Sequence, residues 1–159
     1  MYINSSFLSY IQSLEIYHRR KFDSKLFLES DYNTYMEKLK VFVEKEIPEF
    51  TAKIDSMKQH GNEVNLGKRL KEIISSLSGD SKSYLFGNSK KRDKFIMQLV
   101  ETRNYLTHFD KTRKKNILED TNSLLNAVMR MQALITLTIL IDLGIDEEIA
   151  LNRIKESNK

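Results

Sequence analysis

Arg103, Asn104 and His108 are the side chains whose types and spacing suit a reaction. Arginine presents a permanently charged, planar fork of donors that matches a phosphate. An imidazole takes up and releases protons close to neutral pH. Asn104 can orient that imidazole or donate to a phosphate oxygen. RNA brings its own nucleophile, the 2′-hydroxyl, so a cation and acid–base groups at the phosphate can suffice without a metal. The spacing alone is weak evidence. With eight Arg and three His among 159 residues, chance yields roughly 0.15 Arg-x4-His pairs. The same residues also have a plainer reading: Arg103 pairs with a surface carboxylate, and His108 ends a helix where a cation is favoured.

The element that must position them is a helix expected from about Arg92 to Phe109. On a wheel of about 100° per residue, Phe95, Leu99, Thr102, Leu106 and Phe109 form one core stripe. Asn104 and His108 lie one turn apart and point away from it. Arg103 lies to one side, near a second apolar strip of Ile96 and Val100. Arg103 and His108 are about 140° apart, so one helix does not present them side by side. A two-fold mate would supply the missing groups and gather two Arg103 and two His108 at one phosphate. The facing cations make an anion in such a cleft expected.

The other elements read as helices too. Ser5 or Ser6 can cap a first helix running to about Arg20, with Phe7, Leu8, Ile11 and Leu14 inward. From Asp31, the residues Met36, Leu39, Val43, Ile47, Phe50, Ile54 and Met57 recur at spacings of three and four, straight through Pro48. One kinked helix or two nearly collinear ones are expected, ended by Gly61. A further helix covers Asn65 to Leu77, closed by Gly79. The stretch from Ser78 to Lys91 reads as a loop tucking Tyr84, Leu85 and Phe86 onto the body. After a polar link from Asp110 to Asn116, Asp120 or Thr121 caps the most apolar helix, which ends before Gly144. That helix should be central or should also face a partner. Asp146 caps a short last one, with Glu147 and Glu148 in its first turn.

Composition agrees with a single all-α domain: 159 residues with only five Gly and one Pro fit long helices better than many strands. There is no Cys, which removes disulfides, thiolate nucleophiles and Cys-based zinc sites. His18, His60 and His108 lack metal-ligand spacing, so no dedicated metal site and no cofactor are expected, with an acidic Mg²⁺ site as the one alternative left open. The net charge of +4 is compatible with nucleic acid. The N-terminus lacks a secretory pattern, and the apolar run from Ala133 to Ile141 is too short to span a bilayer. A cytoplasmic protein with no membrane partner is the default.

Two segments carry a resemblance. The run from Leu99 through Arg103-Asn104-Tyr105-Leu106-Thr107-His108 to Asp110 resembles the signature of HEPN domains, in the form found in the ApeA-like HEPN family of bacterial anti-phage proteins. Phe7 to Arg20 is similar to the opening helix of those domains, with a Gln-x-x-Glu-x-x-His-Arg pattern at Gln12, Glu15, His18 and Arg19. The resemblance implies a bundle of four to five helices plus a short C-terminal helix. It further implies homodimerisation, RNA cleavage by paired Arg and His residues, and a role in abortive infection. A larger, regulatory N-terminal domain commonly precedes such units, so the chain is expected to be the C-terminal part of a longer protein.

Other residues admit two readings each. Glu15, His18 and Arg19 either support Arg103 or His108 or form a solvated ion-pair face. Three basic clusters, Arg19-Arg20-Lys21, Lys90-Lys91-Arg92 and Arg113-Lys114-Lys115, can grip an RNA backbone or simply keep the surface soluble. Tyr84 and Phe86 can stack on bases or sit buried. The rival function is a non-catalytic helical module that binds RNA or protein, or an antitoxin-like regulator.

Overall fold

The computed structural model describes residues 2–108 and 115–157, and every regular element within them is helical. The only β pairing among the described residues is an isolated bridge between Lys25 and Glu63. The eight α-helices are α1 Ile3–Lys21, α2 Glu29–Glu46, α3 Thr51–His60, α4 Leu66–Ser75, α5 Gly79–Phe86, α6 Ser89–His108, α7 Thr121–Asp142 and α8 Glu147–Ser157. They gather into two compact units, one of Met1–Lys21 with Leu66–Lys159, the other of Phe22–Asn65.

The larger unit is built around α7. Leu124, Ala127, Val128, Met131, Leu134, Leu137 and Thr138 are buried on it, and α1, α5 and α8 pack against it. By length and composition α7 could cross a membrane, a test that the core helix of a soluble protein also passes. Its caps follow the sequence. Asp120 accepts a hydrogen bond from the Ser123 N–H at 2.8 Å. Gly144, at φ 85°, supplies the left-handed turn that ends the helix. Asp146 likewise caps α8, accepting from the N–H of Glu148 at 2.9 Å. Lys21 donates to Asp142 at 2.6 Å, clasping the ends of α1 and α7.

The expected loop after Ser78 is instead a helix. The Ser78 hydroxyl accepts from the Ser81 N–H at 3.2 Å, so Gly79 opens α5 rather than closing α4. Gly87, at φ 74°, ends it. Leu85 and Phe86 are buried, as the tucked-in reading required, and the Phe86 ring meets Phe95 of α6 with centroids 5.5 Å apart.

The smaller unit corrects the reading of the stripe through Pro48. Its two helices are neither one kinked rod nor collinear. Lys40 of α2 bonds Asp55 of α3 at 2.9 Å, and the Tyr32 hydroxyl donates to the Met57 carbonyl at 3.2 Å, a pattern only an antiparallel hairpin gives. Proline disfavours the helical region for the residue before it, and Ile47 has left the helix at φ −146°, ψ 65°. The chain then reverses through a 3-10 turn at Pro48–Phe50. Tyr32, Met36, Val43 and Ile54 close over one another, whereas Leu39, Ile47, Phe50 and Met57 of the expected stripe are exposed.

Candidate functional site

Phe95, Leu99 and Thr102 are the buried residues of α6, spaced by four and three, and they fix which way the helix turns its other faces. Leu106 is half-buried at the end of the same stripe, while Phe109 falls outside the described residues. The segment after 114 straps the C-terminal half of α6. The Leu118 N–H donates to the Thr102 hydroxyl at 3.0 Å, and Asn116 donates its N–H and its side-chain amide to Glu101, both at 3.2 Å.

Held this way, α6 turns Arg103 and Asn104 to a half-exposed face and leaves His108 exposed as its last residue. Arg103 Nη1 donates to Asn104 Oδ1 at 3.2 Å. Its Nη2 stands 4.0 Å from Glu15 Oε2 on α1. Both elements of the plainer reading are therefore present: a carboxylate beside Arg103 and a histidine at a helix C-terminus. Neither removes these groups from solvent. A partly exposed pair at that distance is weak.

His18 departs from the expectation of a polar face. It is 1% exposed and continues the buried stripe of Phe7, Ile11 and Leu14. Its Nε2 lies 2.6 Å from Glu72 Oε2, and its Nδ1 lies 3.4 Å from Nη1 of Arg69, itself buried. A guanidinium can only donate, so Nδ1 accepts and Nε2 carries the proton given to Glu72. Buried and bonded at both nitrogens, His18 fastens α1 to α4. Glu15, one turn earlier, is the member of the pattern that reaches Arg103. Arg69 and Glu72 were not singled out in the sequence. The signal was there: Arg69 falls in register with Leu66, Leu70 and Ile73, on a helix face that is otherwise apolar.

A family model described as Apea-like HEPN matches residues 8–149. The chain belongs to the Apea-like HEPN family. The match runs from α1 into α8 and contains the Arg103–His108 segment, and HEPN proteins are generally associated with ribonuclease activity. No curated protein and no solved structure matches the chain significantly.

Elsewhere the HEPN chain sorts its remaining candidates by exposure. Lys90 and Lys91 are exposed and Arg92 half-exposed within the first turn of α6, not ahead of it as expected. Cations at that end oppose the helix dipole, so they do not serve the helix. Arg19 and Arg20 are exposed at the end of α1, where the dipole favours them; Lys21 there is engaged by Asp142. Of the third cluster Lys115 is exposed, while Arg113 and Lys114 lie outside the described residues. Tyr84 is exposed with Lys155 over its ring at 5.4 Å, and Phe86 is core. Ile96 and Val100 line an open cavity of about 400 Å³, with Met97, Asn104 and Tyr105 of α6 and Gly67 of α4. The second apolar strip is thus the wall of a groove that reaches Asn104.

Proposed function

We propose that this HEPN chain is a metal-independent endoribonuclease that works as a two-fold homodimer. Arg103 binds and polarises the scissile phosphate, Asn104 sets the orientation of Arg103, and His108 moves the proton to or from the attacking 2′-hydroxyl or the leaving oxygen. The observation that carries this reading is the bond from Arg103 to Asn104 on an open face of α6, with His108 exposed one turn beyond Asn104. Glu15 steadies Arg103 from α1, and His18 and Arg19 belong to the same helix end. The groove along Ile96 and Val100 offers apolar surface to the mate's α6. The cations at Lys90, Lys91, Arg92, Arg113, Lys114 and Lys115 attract the RNA backbone. Anti-phage defence in the cytoplasm, under an N-terminal regulatory domain, completes the reading.

The test is incubation of purified chain with mixed RNA in EDTA. The expected products end in a 2′,3′-cyclic or 3′-phosphate on one side and a 5′-hydroxyl on the other. Loss of cleavage on chelation, or equal cleavage of 2′-deoxy substrates, overturns the proposal. One observation favours a second reading, a non-catalytic RNA- or protein-binding module: Arg103 already has Glu15 beside it. Stable RNA binding without cleavage would decide for that module.

A further inference from the structure

Six consecutive seam positions of α7 face solvent: Leu125, Met129, Gln132, Thr136, Ile139 and its C-cap Leu143. The four apolar ones are 46%, 50%, 47% and 73% exposed. They are spaced 4, 3, 4, 3 and 4, the repeat by which one helix packs along another. On a wheel of about 100° per residue the seam lies about 150° from the centre of the buried face of α7. The helix carries two charged residues, Arg130 and Asp142, and neither lies on the seam. Arg130 sits over Phe95, 5.5 Å from the ring centroid, and Asp142 holds Lys21. Midway along the seam, Met129, Gln132, Ala133 and Thr136 border a hollow of about 310 Å³ closed by Ile154 and Ser157 of α8.

We infer that this seam takes the α7 of a second copy of the chain, antiparallel to it. The order of residues is the reason, because the spacing and the sequence of two apolar, two polar and two apolar positions are the same from either end. Turned about a two-fold axis at the level of Leu134, Leu125 meets the partner's Leu143, Met129 meets the partner's Ile139, and Gln132 meets the partner's Thr136. Each match occurs twice. The apolar pairs flank a central amide–hydroxyl pair, which bonds in this register and is left unmatched by a slip of one turn. A parallel pairing would set Gln on Gln and Thr on Thr and align the two helix dipoles. The hollow beside Gln132 and Thr136 gives the partner's central side chains room to enter. This surface uses none of the residues of the ribonuclease reading and does not rest on it; with an α6 pairing also present, the α7 contact would join one dimer to another.

Cysteine pairs test it, since the chain has no cysteine of its own. A Leu125→Cys chain mixed with a Leu143→Cys chain should form a disulfide-linked heterodimer under mild oxidation. Neither variant should link to itself, because equal positions would lie about 27 Å apart along the helices. Self-linking of either variant alone, or no linking in the mixture, overturns the inference. Charge exchange gives an independent reading by sedimentation. Met129→Lys should weaken α7-dependent association about thirtyfold or more, since each interface holds the change twice. Adding Ile139→Glu to the same chain should restore it, because each lysine then faces the partner's glutamate. A double variant no tighter than Met129→Lys also counts against the register. These side chains are exposed, so circular dichroism should match wild type throughout.

Discussion

His18 is 1% exposed with both ring nitrogens bonded, whereas His108 ends α6 in the open. The two histidines therefore predict opposite outcomes. Removing the His18 ring leaves a buried guanidinium and a carboxylate without their shared partner, which costs about 2–4 kcal/mol. His18→Ala should lower the urea midpoint accordingly. Arg103→Ala and His108→Ala should leave that midpoint nearly unchanged, because the pair from Arg103 to Glu15 is partly exposed and long. In the proposed ribonuclease each should instead reduce cleavage by ~10²–10⁴. An Arg103→Ala chain that melts early but cleaves normally would make Arg103 structural. The location of His18 was legible, since Phe7, Ile11, Leu14 and His18 keep spacings of four, three and four. The residue type misled, because histidine beside glutamate reads as polar surface. What the sequence does not display is the buried guanidinium on another helix that makes a histidine acceptable in the core.

At the scale of elements, patterning found α1, α4, α6, α7 and α8 within a few residues, because their apolar stripes pack on a core. It failed where a stripe was not the deciding force. The repeat from Met36 to Met57 looks continuous, yet Pro48 and the residue before it reverse the chain. The short α5 rests on a serine cap and one turn of aromatics, too little periodicity to read. Gly61 does end α3, but for another reason than a left-handed turn: its φ is −68°, and a Cβ there would run into the Tyr32 hydroxyl and the Met57 carbonyl oxygen. Gly61→Ala is thus expected to destabilise by about 1–3 kcal/mol through overpacking, and Tyr32→Phe should recover part of the loss. Unfolding curves of the single and double variants check this.

The cap of α7 makes a pH prediction. Hydrogen bonds from the side chain and backbone of Ser123 hold the Asp120 carboxyl below its ordinary range. A carboxyl depressed in the folded state stabilises above its unfolded value, and that contribution disappears as the pH falls through the folded value. Asp120→Ala should therefore melt below wild type at pH 7, and the gap should narrow below about pH 4. A gap independent of pH would assign the effect to helix propensity instead.

For the whole molecule, the dimeric cleft of the proposed function predicts complementation. Arg103→Ala and His108→Ala chains, each inactive, should regain part of the activity when mixed under conditions of subunit exchange, because a mixed dimer keeps one Arg103 and one His108. Failure to regain any, with exchange verified, would mean that two full sets are required or that the site is not shared. Cleavage should also weaken steeply with salt if Lys90, Lys91 and Lys115 attract the backbone; a flat salt response would remove them from the RNA path.

Lys21 and Asp142, the clasp between α1 and α7, are 121 residues apart. The larger unit is made from the two ends of the chain with Phe22–Asn65 interposed. During synthesis at about 5–20 residues per second, Lys21 must wait roughly 6–24 s for Asp142. Over that interval α1 has α4 and α6 to pack on, while the larger part of its contacts waits for α7. The larger unit therefore closes only when α7 has been made, however early its other helices form.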